Sequence, residues 1–221
     1  FSNDCWSNSI MSYFWQSKNT NIDASNAFLQ SFMAVDVLAL DELYGDQSYG
    51  GKTFGTSNAF TGDTTYGFNT TISASDDYAL SNLSENADVN AFCIVDGAGN
   101  DTLDCSGWSV DQLINLTVTS TSDTTPTTSN IAGLTGNLSL AANTVIENAV
   151  GGSGDDIITG NQYSNYLNGG DGDDQLYGGD GDDFFDWNSS ARGGADTFYG
   201  GAGNDHYMIN STSDRVFENA N

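Results

Sequence analysis

The chain has 221 residues, room for one large domain or two modest ones, and sets 30 acidic residues against Lys18, Lys52, Arg192 and Arg215 for a formal charge of −26. That charge argues against nucleic acid and anionic membrane as partners, and no apolar run approaches the ~20 residues a membrane span needs. Three cysteines, Cys5, Cys93 and Cys105, imply no disulfide framework, and the chain opens on Phe1 without a secretory signal peptide.

In chain order, the first strong pattern is a helix over 28–44. Phe28, Phe32, Val35, Ala39 and Leu43 keep the 3,4 spacing of one buried face. Asp23 or Ser25 caps its start, and Gly45 suits its C-terminal stop. Beyond it the chain reads as strands and turns, with strands expected at 65–72, 89–95, 113–118 and 137–140. The segment 119–130, TSTSDTTPTTSN, holds the only proline and reads as a polar loop. Two units follow: residues 1–50, α-containing, and residues 51–221, mainly β, with the seam near 45–55. A Cys93–Cys105 bridge and two buried thiols are both compatible with the spacing.

From 151 to 217 the chain repeats every nine residues. GGSGDDIIT begins at Gly151, GGDGDDQLY at Gly169, GGDGDDFFD at Gly178 and GGAGNDHYM at Gly200. Degenerate copies begin at Gly160, Ala191 and Ile209, and Trp187-Asn188-Ser189-Ser190 is a four-residue insertion. Position six is Asp156, Asn165, Asp174, Asp183, Asp196, Asp205 and Asp214. Position eight is apolar throughout: Ile158, Leu167, Leu176, Phe185, Phe198, Tyr207 and Val216. That regularity separates the segment from a disordered acidic linker. Upstream, DGAGNDTLD from Asp96 is another nonapeptide with Asp for the first Gly, and Gly62 to Phe68 is a turn feeding a strand.

The pattern matches the G-G-x-G-x-D-x-U-x nonapeptide of the repeats-in-toxin family, a calcium-binding parallel β-roll. The chemistry follows from the residues as well. Six residues of Gly and Asp make a turn that exposes carbonyls, and the last three make a short strand with one inward apolar side chain. Two nonapeptides form one turn of roll, so residues 18 apart stack at roughly 4.7–4.9 Å. Asp156 then lies over Asp174, and Asp183 over Asp205 once the insertion is allowed for. Carboxylates at that spacing repel by about 1–3 kcal/mol per neighbouring pair, so a cation must sit between them. Carboxylate and carbonyl oxygens without thiol or imidazole select a hard ion, and Ca²⁺ over Mg²⁺. Asn165 removes one carboxylate and weakens the site it shares with Asp183. Weak calcium modules of this kind work at the millimolar calcium found outside cells, which predicts an extracellular protein.

Taken together, LDELYG, DTTYGFN, DGAGNDTLDCSGWS, INL and GNLSLAANTVIENAVGGSGDD occur here in the order seen in secreted serralysin-type zinc proteases. The chain from 8 to 217 resembles that family, metzincins of group M10B whose C-terminal domain is a right-handed parallel calcium β-roll. The opening SNSIMSYF resembles the family's Met-turn. The resemblance makes Met11 the turn methionine and Tyr13 the tyrosine that approaches zinc, so that 1–50 is the end of a metalloprotease-like domain.

The resemblance also implies ligands. One calcium would take the carbonyls of Phe60, Gly62 and Ala98, the Thr64 oxygens and the carboxylates of Asp96 and Asp101. The family has Arg and Gly in place of Phe60 and Ala98, an exchange that carbonyl ligands tolerate. A second would take the Gly99 carbonyl, Asp101, the Val145 carbonyl and Glu147. The repeats then contribute Gly151, Ser153 and Asp156; Gly169, Asp171 and Asp174; Gly178, Asp180 and Asp183; Asp196; Gly200, Ala202 and Asp205; and Asp214.

The zinc motif H-E-x-x-H-x-x-G-x-x-H is missing. His206 is the one histidine, at position seven of a repeat and expected to face solvent, and the cysteines lack zinc spacing. No catalytic residue is therefore assigned within the chain, and zinc belongs only to the presumed parent, whose substrate would be protein. The chain is expected to be a window onto a longer protein. Three parents are considered: a serralysin-like protease, a non-catalytic structural or adhesive surface protein capable of self-association, and a lipase or polysaccharide-modifying enzyme bearing such repeats. The Met-turn and the helix ending LDELYG argue against the last.

Overall fold

A computed structural model describes residues 28–29, 37, 39–40, 43, 47–49, 52–54, 56–123, 126–186 and 193–218. Its body is two parallel sheets between which the chain alternates. The first holds β4 (Thr65–Gly67), β6 (Thr102–Asp104), β10 (Asn148–Val150), β12 (Tyr166–Asn168), β14 (Phe184–Phe185) and β16 (His206–Tyr207), side by side in that order. The second holds β7 (Leu113–Asn115), β11 (Ile157–Thr159), β13 (Gln175–Asp180), β15 (Thr197–Ala202) and β17 (Arg215–Phe217). Each repeat contributes one strand to one sheet, and the next repeat serves the other. Ile157 pairs with Gln175, an offset of 18, and Gln175 with Thr197, an offset of 22 across the insertion. The same two offsets recur where Tyr166 pairs with Phe184 and Phe184 with His206. The nonapeptide register is therefore the ladder register.

Position eight explains why such short strands hold. Ile158, Leu167, Leu176, Phe185 and Phe198 are at most 1% exposed and meet between the sheets. Tyr207 is only partly buried and Val216 is 40% exposed, because β16 and β17 are the outer strands of their sheets and are covered from one side. Outward-facing rings stack along the ladders: Tyr166 on Phe184 at 4.7 Å and Tyr177 on Tyr199 at 4.5 Å. These in-register pairs add to sheet stability.

A third sheet closes the upper part of the core. β1 (Phe28–Leu29), β5 (Asn90–Ile94) and β9 (Leu138–Leu140) run parallel, and β8 (Thr127–Ser129) lies antiparallel on β9. Phe92 and Ile94 of β5 join Leu80 and Leu83, from the four-residue helices Tyr78–Ser81 and Leu83–Asn86, in the same cluster as the repeat residues. Separately, β2 (Gln47–Tyr49) and β3 (Lys52–Phe54) form an antiparallel pair.

Four sequence expectations change. Phe28 and Leu29 are a strand on β5 and not the start of a helix; Val37, Ala39, Leu40 and Leu43 are helical. Of that helix, Val37 packs on Ala91, Cys93 and Ala141, while Ala39 and Leu43 are exposed. Phe32 and Val35 of the predicted face lie outside the described residues. The polar 119–130 segment ends in β8, whose Thr127 and Ser129 are buried because their hydroxyls are used: Thr127 donates to Thr117 O at 2.6 Å, and Ser129 accepts from Asn115 N at 2.9 Å. The other predicted strands are present but shorter, whereas β13 and β15 run for six residues, into the glycines of the next repeat. Cys93 and Cys105 are both buried, in different clusters, and no disulfide joins them.

Candidate metal-binding turns

The residue that precedes each strand decides the chemistry of the turns. Along the first sheet these are Thr64, Asp101, Glu147, Asn165, Asp183 and Asp205, and along the second Gln112, Asp156, Asp174, Asp196 and Asp214. Along each column main-chain N–H groups donate to the carboxylate of the next turn, except between Glu147 and Asn165, where the Asn165 side-chain amide donates to Glu147 O. On the first side Thr64 N donates to Asp101 Oδ1 at 2.7 Å, Asp101 N to Glu147 Oε2 at 2.8 Å, Asn165 N to Asp183 Oδ1 at 2.8 Å and Asp183 N to Asp205 Oδ1 at 3.0 Å. On the second, Gln112 N donates to Asp156 Oδ1 at 2.6 Å, Asp156 N to Asp174 Oδ1 at 2.8 Å and Asp196 N to Asp214 Oδ1 at 3.1 Å.

One oxygen of each carboxylate is thereby used. In four of them, Asp101, Asp174, Asp183 and Asp205, the second oxygen is buried without a hydrogen-bond partner among the described residues. A buried carboxylate oxygen in that condition costs free energy unless a proton or a cation meets it. The electrostatics agree. Burial first, then the neighbouring carboxylates, push Asp174 up to about 8, against the N–H bond from Asp156 that lowers it. Asp183 is pushed up to about 7 and Asp156 to about 6, again chiefly by burial. Asp101, Asp196 and Asp205 are raised for the same reason.

The glycines leave room for these oxygens. A Cβ on Gly178 would sit 2.0 Å from Asp183 Oδ2 and 2.6 Å from Gly200 O. One on Gly151 would meet Gly169 O at 2.2 Å and Asp156 Oδ2 at 2.3 Å. At each such point a position-one carbonyl of the next turn comes close to the carboxylate of the present one. Among the described residues no three His, Cys, Asp or Glu side chains gather into one compact cluster. A cation between turns would thus draw on single carboxylates and on carbonyl oxygens, a set that fits Ca²⁺ with its oxygen-only, high-coordination preference. Ser153, Asp171, Asp180 and Ala202, at position three, are exposed.

The upstream group converges as well. Thr64 Oγ1 donates to Gly62 O at 2.8 Å, and a Cβ on Gly99 would lie 2.7 Å from both Gly62 O and Asp101 Oδ1. Asp96, pushed up to about 7 mainly by burial, accepts from Ala98 N at 3.0 Å and from Tyr66 Oη at 2.5 Å. Phe60, with φ of 44°, sets its ring edge-on to Tyr66. Val145 lies outside any strand, two residues before Glu147.

Asn165 behaves differently from the acids around it. Its amide donates to Glu147 O at 2.9 Å, and its Oδ1 accepts from Asn161 N at 2.8 Å. A hydrogen bond is made here, whereas at Asp183 in the next turn one buried carboxylate oxygen has no partner among the described residues. Gln112 was not anticipated: it is 2% exposed, heads the second column, and its Oε1 accepts from Ala132 N at 2.9 Å. The signal was present in GWSVDQLIN from Gly107, a nonapeptide with Gln at position six. A second, exposed ladder at position five runs the opposite way, with Asp173 N donating to Asp155 Oδ1 and Ala195 N to Asp173 Oδ1. His206 is exposed and stacks on Phe184 at 4.6 Å. Met11 and Tyr13 lie outside the described residues, and among those described no helix is long and apolar enough to cross a membrane.

Comparison with known proteins places these turns in a family. The model of the Peptidase M10 serralysin C terminal matches residues 55–221. Metallopeptidase AprA of Pseudomonas marginalis is 38% identical over 162 residues, covering 72% of this chain and 30% of the relative. Serralysin of Photorhabdus laumondii is 36% identical over 158 residues, with 72% and 28% covered. Serralysin C of Dickeya chrysanthemi is 38% identical over 150 residues, with 68% and 27% covered. The chain thus spans less than a third of the length of these relatives.

Proposed function

The chain belongs to the serralysin C-terminal family of M10 peptidases, and on that premise we propose that it is the calcium-binding, right-handed β-roll end of a secreted zinc metalloendopeptidase. The observation that carries the proposal is the set of buried, unpartnered carboxylate oxygens on Asp101, Asp183 and Asp205 along one column and on Asp174 in the other. Calcium between the turns supplies the positive charge that lets these groups ionise in place. Asp156, Asp174, Asp196 and Asp214 hold it on one side, and Asp101, Glu147, Asp183 and Asp205 on the other. Gly62, Thr64 and Asp96 complete the upstream end. Ion binding is then folding free energy, so the roll forms where calcium is plentiful, outside the cell. Residues 1–50, with Met11 and Tyr13, are assigned to the end of the metalloprotease-like domain, and 51–221 to the roll. The relatives named metallopeptidase or serralysin support protein as the substrate of the whole molecule.

Two measurements test the two parts. Native mass spectrometry of the chain before and after EGTA should show several bound calcium ions that the chelator removes; a mass that matches the bare polypeptide in millimolar calcium would overturn the roll's role. Peptide sequencing of the native protein upstream of Phe1 should find an H-E-x-x-H helix. A native protein with another sequence there would favour a non-catalytic surface role.

A further inference from the structure

The turn at 160–165 carries a side chain where its well-formed neighbours have none. Position two of those neighbours is Gly152, Gly170, Gly179 and Gly201, whereas this copy has Asn161. Asn161 is 6% exposed, and Asn165, four residues on, is fully buried. Their amides bond to each other, Asn165 Nδ2 donating to Asn161 Oδ1 at 3.2 Å. Asn161 N donates to Asn165 Oδ1 at 2.8 Å, and Tyr163 N to Asn161 Oδ1 at 2.9 Å.

The remaining bonds leave the turn. Asn165 Nδ2 reaches Glu147 O at 2.9 Å. Asn161 Nδ2 donates to Ile146 O at 2.9 Å and to Leu116 O at 3.4 Å. Ile146 leads into β10 of the first sheet, and Leu116 follows β7 of the second. One buried amide therefore ties this turn to both sheets, through chain 15 and 45 residues away. All four side-chain amide atoms of the pair have protein partners.

Acids of the same column differ. Asp101 before this turn and Asp183 after it each keep a buried carboxylate oxygen without a partner among the described residues. The framework around Asn165 is nonetheless the common one. A Cβ on Gly160 would lie 2.3 Å from Asn165 Oδ1 and 2.4 Å from Gly178 O, close to the values for Gly151 against Asp156 Oδ2 and Gly169 O. A buried carboxylate oxygen needs a proton or a cation, whereas a neutral amide needs only hydrogen bonds, and here they are made.

We propose that Asn161 and Asn165 form a metal-free clasp, a turn that takes no cation and holds the two sheets together as ions are withdrawn. It divides the first column into an upstream cation group at Asp101 and Glu147 and a downstream one at Asp183 and Asp205. The inference rests on the calcium reading of the other turns and deepens it by naming the turn that calcium does not govern. Withdrawal of calcium then opens the roll unevenly, because local stability follows the bonds that remain.

The test is hydrogen–deuterium exchange of the whole chain during stepwise addition of EGTA, with ions counted by native mass spectrometry. Once ions begin to leave, peptides covering 160–167 should exchange about tenfold more slowly than those covering 170–186. Asn161→Gly, which restores the residue the neighbouring copies carry, should abolish that difference and leave the number of bound ions unchanged. Equal exchange of the two segments in the wild type would overturn the clasp and leave the calcium reading intact. So would a difference that survives in Asn161→Gly, or an ion lost from that variant. Wild-type protein that holds no calcium would overturn both.

Discussion

The main-chain nitrogen of Asp174 donates to Oδ1 of Asp196, 3.0 Å away and 22 residues further along the chain. The bond occupies one carboxylate oxygen and leaves its neighbour for another partner. Repeated along the roll, it ties one oxygen of Asp174, Asp183 and Asp205 and leaves the second buried without a partner among the described residues. On the calcium reading proposed above, stability and cation binding are properties of the same side chains.

The first consequence is a pH dependence of the metal-free protein. Asp156, Asp174 and Asp183 lie at about 6, 8 and 7 in the folded chain, against an ordinary value of 3.8. A carboxylate raised in the folded state favours folding when protonated, so its contribution is full below about pH 4 and is lost as pH rises through 6 to 8. Chain stripped of calcium should regain β-sheet circular dichroism on acidification from pH 8 toward pH 5. A metal-free spectrum independent of pH across that range would contradict the buried-carboxylate account.

Asp174→Ala should be worse than Asp183→Ala. Asp174 stands between two acids of its column, Asp156 and Asp196, whereas Asp183 stands between Asn165 and Asp205. The first variant should lose about two ions by native mass spectrometry and the second about one, since carboxylates are the charged ligands of each site. Equal losses would break the assignment of sites to neighbouring acids.

Asn165→Asp restores an acid at the one position six of the 151–217 repeats that lacks it. The amide bond to Glu147 O disappears and a carboxylate takes its place. Without calcium the variant should melt below the wild type; with calcium it should bind one more ion. An unchanged ion count would show that this turn lacks the remaining ligands.

Gly178→Ala places a methyl 2.0 Å from Asp183 Oδ2 and 2.6 Å from Gly200 O. Overpacking of this kind costs ~1–3 kcal/mol, and here it also displaces a ligand. The calcium-loaded melting temperature should fall and one ion should be lost, read in the same calorimetry and mass experiments. Retention of both would mean the carboxylate has room the structure denies it.

Much of the roll was legible because one residue in nine does one job. The apolar eighth position and the position-six acid share a period, so the offset of 18, widened to 22 at the insertion, could be counted before any coordinates. Where the job passed to a different residue type the pattern failed. Gln112 performs the position-six role without a charge, and β8 buries hydroxyls that read as loop chemistry. Val37 packs on Ala91, Cys93 and Ala141, partners distant in sequence that the helical spacing could not reveal. Asp186, a ninth residue that the motif leaves unspecified, is buried and accepts the Gly169 N–H, which its place in the repeat does not announce.

The most direct test of the central claim is far-ultraviolet circular dichroism of this chain at neutral pH, titrated with EGTA and then with calcium. The stacked, half-paired carboxylates predict that the β signal collapses as calcium is withdrawn and returns when it is restored. A spectrum that stays native through the chelator, from protein shown to hold no ions, would contradict it.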